Sequence, residues 1–313
     1  LLAAKNGDTK LLGHLLETRC INIDQMNRNG KTLLFQAVEN KHLGTVKLLV
    51  SYGANVNILA QYDGIIPLDK AIKYGYHLGR YGMSPIAKAV ELGYFDIAKF
   101  LLNNGADINA VNIFGKSILY LVSKGGCLKF VRLLLRSRVK IDQPRTYLET
   151  PLYIAIYNNH LGIVKCLMDH NADINGTDKD KWTTPLYEAA RCGHLDIVKW
   201  LLEKHCGSCI NETNHYGRTP LFAAAKNGRL GVVKFLLDFG ADVDKEDKIG
   251  KTPLYAAVEY GCIDGILQML LDFGADMNKK NKKGISPYGI GGYDGWGMGS
   301  FFQKHKEKIE KQM

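Results

Sequence analysis

The segment SPIAKAVELGYFDIAKFLLNNGADIN, residues 84–109, contains two short helix patterns separated by turn signals. Ser84 suits a helix N-cap because its oxygen accepts an amide hydrogen bond, and Pro85 suits the first helical position because it lacks the N–H that would stay unpaired there. Gly93 and Gly105 are typical of helix ends, since glycine adopts the left-handed conformation without steric cost. Apolar residues between the two glycines recur at helical spacing. The segment therefore predicts a helix-turn-helix pair.

The same pattern recurs along the chain at a nearly constant spacing. From Ser84 onward, successive Thr/Ser anchors are 33, 33, 34, 35, 33 and 34 residues apart, and most are followed by proline and an apolar residue. The anchors are Thr32, Ser84, Ser117, Thr150, Thr184, Thr219, Thr252 and Ser286, with a further proline-containing anchor at Pro67. A period of this length indicates a stacked array in which each unit buries its apolar face against its neighbours. Function is then expected on an extended surface before any catalytic pocket.

Composition limits the class of protein. A hydrophobic content of 46% predicts a continuous core rather than a disordered chain. No run of about 20 apolar residues, as a membrane span requires, is present. The seven cysteines are odd in number and scattered, unlike the disulfide framework of a secreted protein, so we expect a reducing, cytoplasmic compartment or, alternatively, the nucleus. Because the sequence starts inside a repeat without methionine, we expect a fragment of a longer protein.

The repeated residues resemble the ankyrin repeat family. Its motif of Thr-Pro-Leu, a helix of small residues, Gly-His, Ile-Val, Leu-Leu and Gly-Ala-Asp-x-Asn is present in most copies, and the resemblance extends from Leu2 to about Asn281. It implies an all-α solenoid of stacked helix-turn-helix pairs joined by hairpin-like loops. The family's histidine after Thr-Pro-Leu is replaced by Tyr153, Tyr187, Phe222 and Tyr255. Since that histidine ties down a hairpin by a polar contact, we expect aromatic packing to take its place.

The anchors also predict the boundaries of the array. We expect an N-terminal unit at 1–29, a repeat at 30–63, six repeats at 82–283 and a degenerate, basic cap at 284–313. Residues 64–81 have an anchor only 18 residues before Ser84 and represent either a truncated repeat or an insertion. In the last unit, glycines fill the positions of the first helix. Because glycine costs about 1 kcal/mol in a helix interior, we expect the repeat fold to break down there.

Groups that could carry chemistry are largely explained by the repeat. His42, His160 and His194 occupy the family's Gly-His position, and no Ser/His/Asp arrangement stands out. The run His205-Cys206-Gly207-Ser208-Cys209 is similar to half a zinc site or a redox pair. The nearest further ligands, Cys192 and His194, are separated from it by a helix of about 12 Å, so free loop thiols are the favoured interpretation. We expect no catalytic residue, no metal, no cofactor and no enzymatic activity.

The resemblance implies a ligand surface at the hairpin tips and the exposed ends of the first helices. Carried over residue by residue, these positions hold Phe114, Lys116, Tyr147, Glu149, Tyr157, Lys181, Arg191, Tyr216, Arg218, Lys226, Ile249, Lys251, Glu259 and Tyr260. Aromatic residues and arginine dominate the energetics of protein–protein interfaces. We therefore expect an interaction scaffold that binds a protein or peptide, and its basic residues favour an acidic partner.

Two alternatives remain open for the function. The net charge of +10 is concentrated at the C-terminal end, where +5 lies between Lys279 and Met313. A solvated cap is the favoured interpretation of this charge, and contact with nucleic acid or anionic lipid is the less favoured one. The array could instead be the regulatory or targeting part of a larger effector, such as an enzyme, a channel or a ubiquitin-ligase adaptor. In either case we expect a monomer without a small-molecule substrate.

Overall fold

The computed structural model describes residues 2–61, 82–111, 115–137, 139–142, 150–174, 183–204, 207–262, 265–293, 301–304 and 306–307. The chain divides into two compact units, Leu1–Ile154 with Lys165–Ala172 and Ala155–Val164 with Asp173–Met313. Throughout the described residues, most helices occur in pairs, and the two β-strands there are each two residues long. The all-α fold of paired helices is therefore confirmed.

Among its described residues, the first unit contains four helix pairs. They are α1 (Leu2–Asn6) with α2 (Thr9–Glu17), α3 (Leu33–Glu39) with α4 (Leu43–Ser51), α5 (Pro85–Glu91) with α6 (Phe95–Asn103), and α7 (Ile118–Lys124) with α8 (Leu128–Arg136). First helices pack against first helices along the series α1, α3, α5 and α7, and α4 packs between α2 and α6. The core between them is apolar and includes the fully buried side chains of Phe35, Leu49, Leu101, Leu119 and Leu134.

A short strand pair flanks the residues between α4 and α5. Strand β1 (Ala60–Gln61) is antiparallel to β2 (Gly82–Met83), with Ala60 opposite Met83. Phe35 of α3 and Ala87 of α5 are buried with Ala60 and Met83 in one cluster. The repeats on either side of the strand pair thus pack directly against each other. The choice between a truncated repeat and an insertion concerns residues 64–81, and all of these lie outside the described residues.

The second unit repeats this arrangement. Its helices are α11 (Pro185–Cys192), α12 (Leu195–Lys204), α13 (Pro220–Lys226), α14 (Leu230–Asp238), α15 (Pro253–Glu259), α16 (Ile266–Asp272) and α17 (Pro287–Tyr293), with a 3₁₀ helix at Gly207–Asn211. The helices α9 (Pro151–Tyr157) and α10 (Leu161–Met168) contain residues of both units. First helices α11, α13, α15 and α17 pack in succession, as do second helices α12, α14 and α16. The small residues Ala223, Ala224 and Ala225 are completely buried and allow the first helices to approach closely.

The anchor residues cap the first helices as the sequence predicts. Thr219 Oγ1, for example, accepts a hydrogen bond of 3.1 Å from the amide of Phe222. The same bond, between the anchor oxygen and the amide three residues later, is formed at Thr32, Ser84, Ser117, Thr150, Thr184, Thr252 and Ser286. This bond pairs an amide that would otherwise lack a partner, so it sets where each first helix begins.

The expectation that the repeat fold breaks down after Ser286 is wrong for the first helix of that unit. Residues Pro287–Tyr293 form a helix despite three glycines, and this helix packs against α15. Ser286 supplies the N-cap, with 3.1 Å between its Oγ and the amide of Gly289. Beyond it, Phe302 is fully buried, and its ring centroid lies 6.0 Å from that of Tyr288. Capping and tertiary packing therefore outweigh the low helix propensity of glycine.

Candidate functional site

A buried asparagine or aspartate closes each of three hairpin tips in the second unit. In every case the side-chain Oδ1 atom accepts hydrogen bonds of 2.9–3.1 Å from the amides two and four residues later. The three acceptors are Asn214, Asp247 and Asn281. Asn27 makes the same two bonds in the first unit. Because these bonds fix the backbone from the acceptor residue to the fourth residue after it, the tip has a defined conformation.

Neighbouring tips of the second unit are joined through their backbones. The amide of Lys248 donates to the carbonyl of Tyr216 at 2.9 Å, and the amide of Lys282 donates to the carbonyl of Ile249 at 3.1 Å. The close approach needs glycine at Gly217, where φ is +76° and a Cβ atom would lie 2.9 Å from the Lys248 nitrogen. The three tips thus form a continuous row, along which Tyr216 and Ile249 are 44% and 49% exposed.

The aromatic residues that replace the family's histidine lie beneath these tips. Tyr187, Phe222 and Tyr255 are all buried. Burial raises the pKa of the Tyr187 and Tyr255 hydroxyls, while a nearby cation and a hydrogen bond with the asparagine of the next tip, Asn214 or Asn281, lower it. Aromatic packing therefore does take the place of histidine. At the two tyrosines, the hydroxyl also preserves a polar contact with the tip.

A cation next to the anchor stacks on each of two buried rings in the second unit. The Cζ atom of Arg218 lies 5.1 Å from the Phe222 ring centroid, and its Nε lies 3.2 Å from the Asp247 carboxylate. Lys251 Nζ lies 5.0 Å from the Tyr255 ring centroid. It also forms an ion pair of 2.5 Å with Glu259, which links the tip to the end of the first helix. Each cation is thus held between a ring and a carboxylate.

Two exposed tyrosines at the ends of first helices also contact cations. Tyr157 is 48% exposed, and the Cζ atom of Arg191 lies 5.7 Å from its ring centroid. Tyr260 is 53% exposed, and Lys226 Nζ lies 4.3 Å from its ring centroid. Each pair joins adjacent repeats, so the four side chains form a strip across the ends of the first helices.

The backbone beneath this strip is bonded to side chains of the following repeat. The carbonyls of Tyr157, Arg191 and Lys226 accept bonds from His194 Nε2 at 3.0 Å, Arg229 Nε at 3.2 Å and Cys262 Sγ at 3.3 Å, respectively. All three donors occupy the position after the glycine that ends the first helix, or its equivalent. Burial raises the pKa of the Cys262 thiol, which keeps it in the protonated, donating form.

Arg191 is additionally held by a buried carboxylate. Glu188 lies in α11 and is buried, and its carboxylate accepts bonds from Arg191 Nε at 3.0 Å and Nη2 at 2.5 Å. Burial and the charge of Glu188 raise the pKa of the adjacent Cys192 thiol. A two-point bond to Glu188 together with the Tyr157 ring restricts the guanidinium of Arg191 to one orientation.

The repeat family follows from comparison with known proteins. The sequence matches a family model described as ankyrin repeats in three copies. The model matches four overlapping ranges, residues 1–112, 86–178, 118–214 and 186–281. The chain belongs to the ankyrin repeat family. Ankyrin repeats are protein–protein interaction domains and are typically non-catalytic, so the broad function of a binding array is established by the family.

Individual relatives match parts of the array. The chain is 32% identical over 159 residues to ankyrin repeat and KH domain-containing protein mask-1 of Caenorhabditis elegans, which covers 50% of this chain and 5% of the relative. It is 32% identical over 108 residues to protein phosphatase 1 regulatory subunit 27 of Mus musculus, covering 34% and 58%. It is 27% identical over 183 residues to putative ankyrin repeat protein FPV230 of Fowlpox virus, covering 48% and 88%. The chain thus spans less than two thirds of the first two relatives.

Nine of the surface residues predicted from the sequence lie in the second unit of the ankyrin array. They are Tyr157, Arg191, Tyr216, Arg218, Lys226, Ile249, Lys251, Glu259 and Tyr260. Lys116 lies in the first unit, where its Nζ is 2.9 Å from the Tyr120 hydroxyl. Phe114, Tyr147, Glu149 and Lys181 lie outside the described residues. The candidate surface is therefore the row of tips and the adjoining strip of helix ends in the second unit.

Four residues that shape this surface were missing from the sequence prediction. Asn214, Asp247 and Asn281 each stand five residues before an anchor, and this recurrence is a signal that could have identified them. Glu188 stands where the next two copies have Ala223 and Ala256, so a charged residue at an alanine position was its signal. All four act by holding other residues of the ankyrin array in place.

The interpretation of the Cys206–Cys209 motif as free loop thiols is wrong for Cys209, which is disulfide-bonded and buried. Cys206 lies outside the described residues. Cysteines at 20, 127, 166, 192 and 262 are free.

Across the described part of the ankyrin array, no three His, Cys, Asp or Glu side chains cluster as metal ligands would. No described helix combines the length and apolar character that crossing a bilayer requires.

Proposed function

We propose that this ankyrin array is a non-enzymatic scaffold that binds a partner protein through the hairpin tips and first-helix ends of its second unit. The observation that carries the proposal is the exposure of four large apolar side chains on one surface, at Tyr157, Tyr216, Ile249 and Tyr260. Exposed apolar residues grouped at the tips and helix ends of neighbouring repeats are typical of interaction sites. Tyrosine and arginine are also the residues in which interface binding energy is concentrated.

The tyrosines are pre-arranged by their contacts with cations. Arg218 Cζ lies 5.2 Å from the Tyr216 ring centroid, as Arg191 and Lys226 lie near Tyr157 and Tyr260. A ring already held in its bound orientation loses little conformational freedom when a partner docks. This arrangement supports a preformed surface that binds without a large change of shape.

Charge contributes less to this part of the surface than the sequence suggested. Arg191, Arg218 and Lys251 are each paired with a carboxylate, at Glu188, Asp247 and Glu259. At these three positions the positive charges are balanced by three negative ones. We therefore attribute binding here mainly to the aromatic and aliphatic area.

The proposal is tested by replacing Tyr216, Ile249 and Tyr260 together by alanine. A matched control replaces Phe239 and Phe273, which are 40% and 45% exposed at the ends of second helices. Proteins captured from a cell extract by the wild type are quantified against both variants, and each captured protein is purified and its affinity measured. We expect the triple variant to bind at least about tenfold more weakly and the control to bind normally. Equal binding by all three chains would refute the surface.

A regulatory role in a larger effector is the second candidate function. The relative named protein phosphatase 1 regulatory subunit 27 favours it, because the match covers more than half of that protein. The direct test adds the intact chain to the catalytic subunit of protein phosphatase 1 and measures complex formation and phosphatase activity. Saturable binding that is lost in the Tyr216, Ile249 and Tyr260 variant would support this role. Absence of any complex would exclude this enzyme as the effector.

We also propose that the chain has no catalytic activity, needs no cofactor and acts as a monomer in the cytoplasm. The typically non-catalytic character of the family supports the first two points. Five cysteines among the described residues are free, as is typical of a reducing compartment, whereas the disulfide at Cys209 is atypical of one. Sedimentation of the purified chain measures the oligomeric state, and a concentration-dependent mass would contradict the monomer.

A further inference from the structure

Three consecutive hairpin tips of the second unit present equivalent positions in one row. The position three residues before the anchor holds Tyr216, Ile249 and Lys283 in turn. Each lies within a tip closed by a buried Asn or Asp side chain, and backbone hydrogen bonds join each tip to the next. The row therefore has a fixed order of chemistry: aromatic, aliphatic, cationic.

Three cations on the third tip of this row lack the carboxylate partners that Arg218 and Lys251 have on the first two tips, among the residues that the structure describes. Arg218 and Lys251, on the first two tips, are neutralised by Asp247 and Glu259. On the third tip, Lys280, Lys282 and Lys283 are exposed, and no ion pair joins them to a carboxylate among the described residues. Exposed Lys248 on the second tip lies beside them, because its neighbour Ile249 bonds the Lys282 amide.

This juxtaposition identifies the kind of partner that fits. We propose that the surface binds an extended protein segment in which large apolar side chains are followed by a cluster of carboxylates. The partner's apolar side chains pack on Tyr216 and Ile249, and its carboxylates pair with Lys282 and Lys283. The inference rests on the proposed function, which supplies the apolar half of the surface. It adds the chemical class of the second half and the order in which the partner crosses the tips.

A protein segment fits this row better than nucleic acid does. Binding a phosphate backbone uses a continuous path of unpaired cations. Here Arg218 and Lys251 of the first two tips are already paired with carboxylates, the exposed Lys248 lies next to the third tip, and the exposed side chains between them include the aliphatic Ile249. Charge complementarity is thus confined to one end of an otherwise apolar row.

The experiment selects peptides from a phage-displayed library of random dodecapeptides against the intact chain. The parallel targets are K280Q/K282Q/K283Q, the Tyr216, Ile249 and Tyr260 alanine variant, and K199Q/K204Q/K234Q. The last variant removes the same charge from the second helices of the same unit. All substituted side chains are at least partly exposed, so circular dichroism is expected to show unchanged helix content.

We expect the wild type and the second-helix lysine variant to enrich peptides with apolar residues next to a run of Asp or Glu. The K280Q/K282Q/K283Q variant is expected to enrich apolar residues without the acidic run. It should also bind the wild-type-selected peptides about tenfold more weakly at low salt, since each exposed ion pair contributes modestly. Selected peptides without acidic residues, or identical selections from all the lysine variants, would overturn the inference.

Other outcomes separate this inference from the proposed function. No enrichment at all, or enrichment unaffected by the Tyr216, Ile249 and Tyr260 variant, would refute the binding surface itself. The affinities of the wild type and of K280Q/K282Q/K283Q for phosphatidylserine vesicles and for a single-stranded oligothymidylate are measured in the same way as for the selected peptides. If either binds more tightly than the selected peptides, and that binding is lost in K280Q/K282Q/K283Q, then the tip recognises that anion and the acidic-peptide assignment is wrong.

Discussion

His194 Nε2 donates a hydrogen bond of 3.0 Å to the backbone carbonyl of Tyr157, 37 residues earlier in the chain. His42 makes the equivalent bond of 2.9 Å to the carbonyl of Lys5, also 37 residues earlier. The bond joins the start of one second helix to the end of the first helix in the preceding repeat. In the following repeats, Arg229 and Cys262 make this contact in place of histidine. A position known as part of the repeat motif thus supports the residues of the candidate surface.

Replacing His194 by alanine removes this bond from below Tyr157. We expect the free energy of unfolding to fall by about 0.5–1 kcal/mol, the low end for a hydrogen bond, because this bond between repeats lies in an exposed position. Urea denaturation measures the change, and hydrogen exchange is expected to show faster exchange of amides near Tyr157.

His14→Ala is the matched control, because His14 is an exposed histidine whose side chain forms no hydrogen bond with any residue that the structure describes. It should change stability by less than about 0.5 kcal/mol. If both histidine variants lost the same stability, the bond to Tyr157 would not be the cause.

Asp244 occupies a position where asparagine makes an additional bond in another repeat. Asn57 accepts from the Asp107 amide and also donates from Nδ2 to the Gly105 carbonyl at 2.9 Å. Asp244 accepts from the Asp276 amide at 3.1 Å but, when ionised, has no donor for the equivalent Gly274 carbonyl. Asp244→Asn is therefore expected to stabilise the chain by about 1 kcal/mol at neutral pH.

The gain from Asp244→Asn is expected to depend on pH. Burial raises the pKa of the Asp244 carboxyl above its unfolded value, against the opposing effect of the Asp276 amide. The folded state therefore binds this proton more tightly, and stability falls as pH rises through the interval between the two pKa values. Urea denaturation at neutral and mildly acidic pH should show that the advantage of asparagine shrinks as pH falls. A constant difference would contradict the assignment.

Asp247 combines two roles that substitutions can separate. Its Oδ1 closes the hairpin tip, and its Oδ2 pairs with Arg218. Asp247→Ala is expected to cost about 2–3 kcal/mol, because two partly buried amides and a cation lose their partner. Asp247→Asn preserves the acceptor, as Asn214 and Asn281 do naturally, and should cost less than about 1 kcal/mol. Thermal and urea denaturation compare the two, and equal losses would show that the ion pair alone matters.

The disulfide at Cys209 predicts a measurable thiol count. The chain has seven cysteines, and one disulfide removes two of them from reaction with a thiol reagent. Denatured protein purified without reductant is expected to show five reactive thiols, and seven after reduction. Seven thiols before reduction would show that the motif is reduced in solution.

The start of each first helix could be predicted from the sequence because its determinants are local. Thr219 and Pro220 are adjacent, and the bond from the Phe222 amide to Thr219 spans three residues. The helix at Pro287–Tyr293 could not be predicted in the same way. Its glycines argue against a helix locally, and its stability depends on packing against α15, which lies at a distance in sequence.

The sequence offered candidate surface residues but not their interactions with one another. The resemblance to ankyrin repeats implied that Tyr216 and Tyr260 lie at hairpin tips and helix ends, and both are exposed in the structure. The pairing of Arg218 with Asp247 joins residues 29 positions apart, and it depends on how two hairpins lie beside each other. The basic character expected from counting lysines and arginines is reduced once these pairs are known.

By itself, the sequence determined the ankyrin fold, the spacing of its repeats and the positions that face outward, because caps, turn glycines and apolar periodicity act over a few residues. Only the tertiary structure decided which charges are neutralised and which tips lie side by side. Those properties depend on contacts between repeats about thirty residues apart, as between Lys282 and Ile249. The row that ends in unpaired lysines is one result of these contacts.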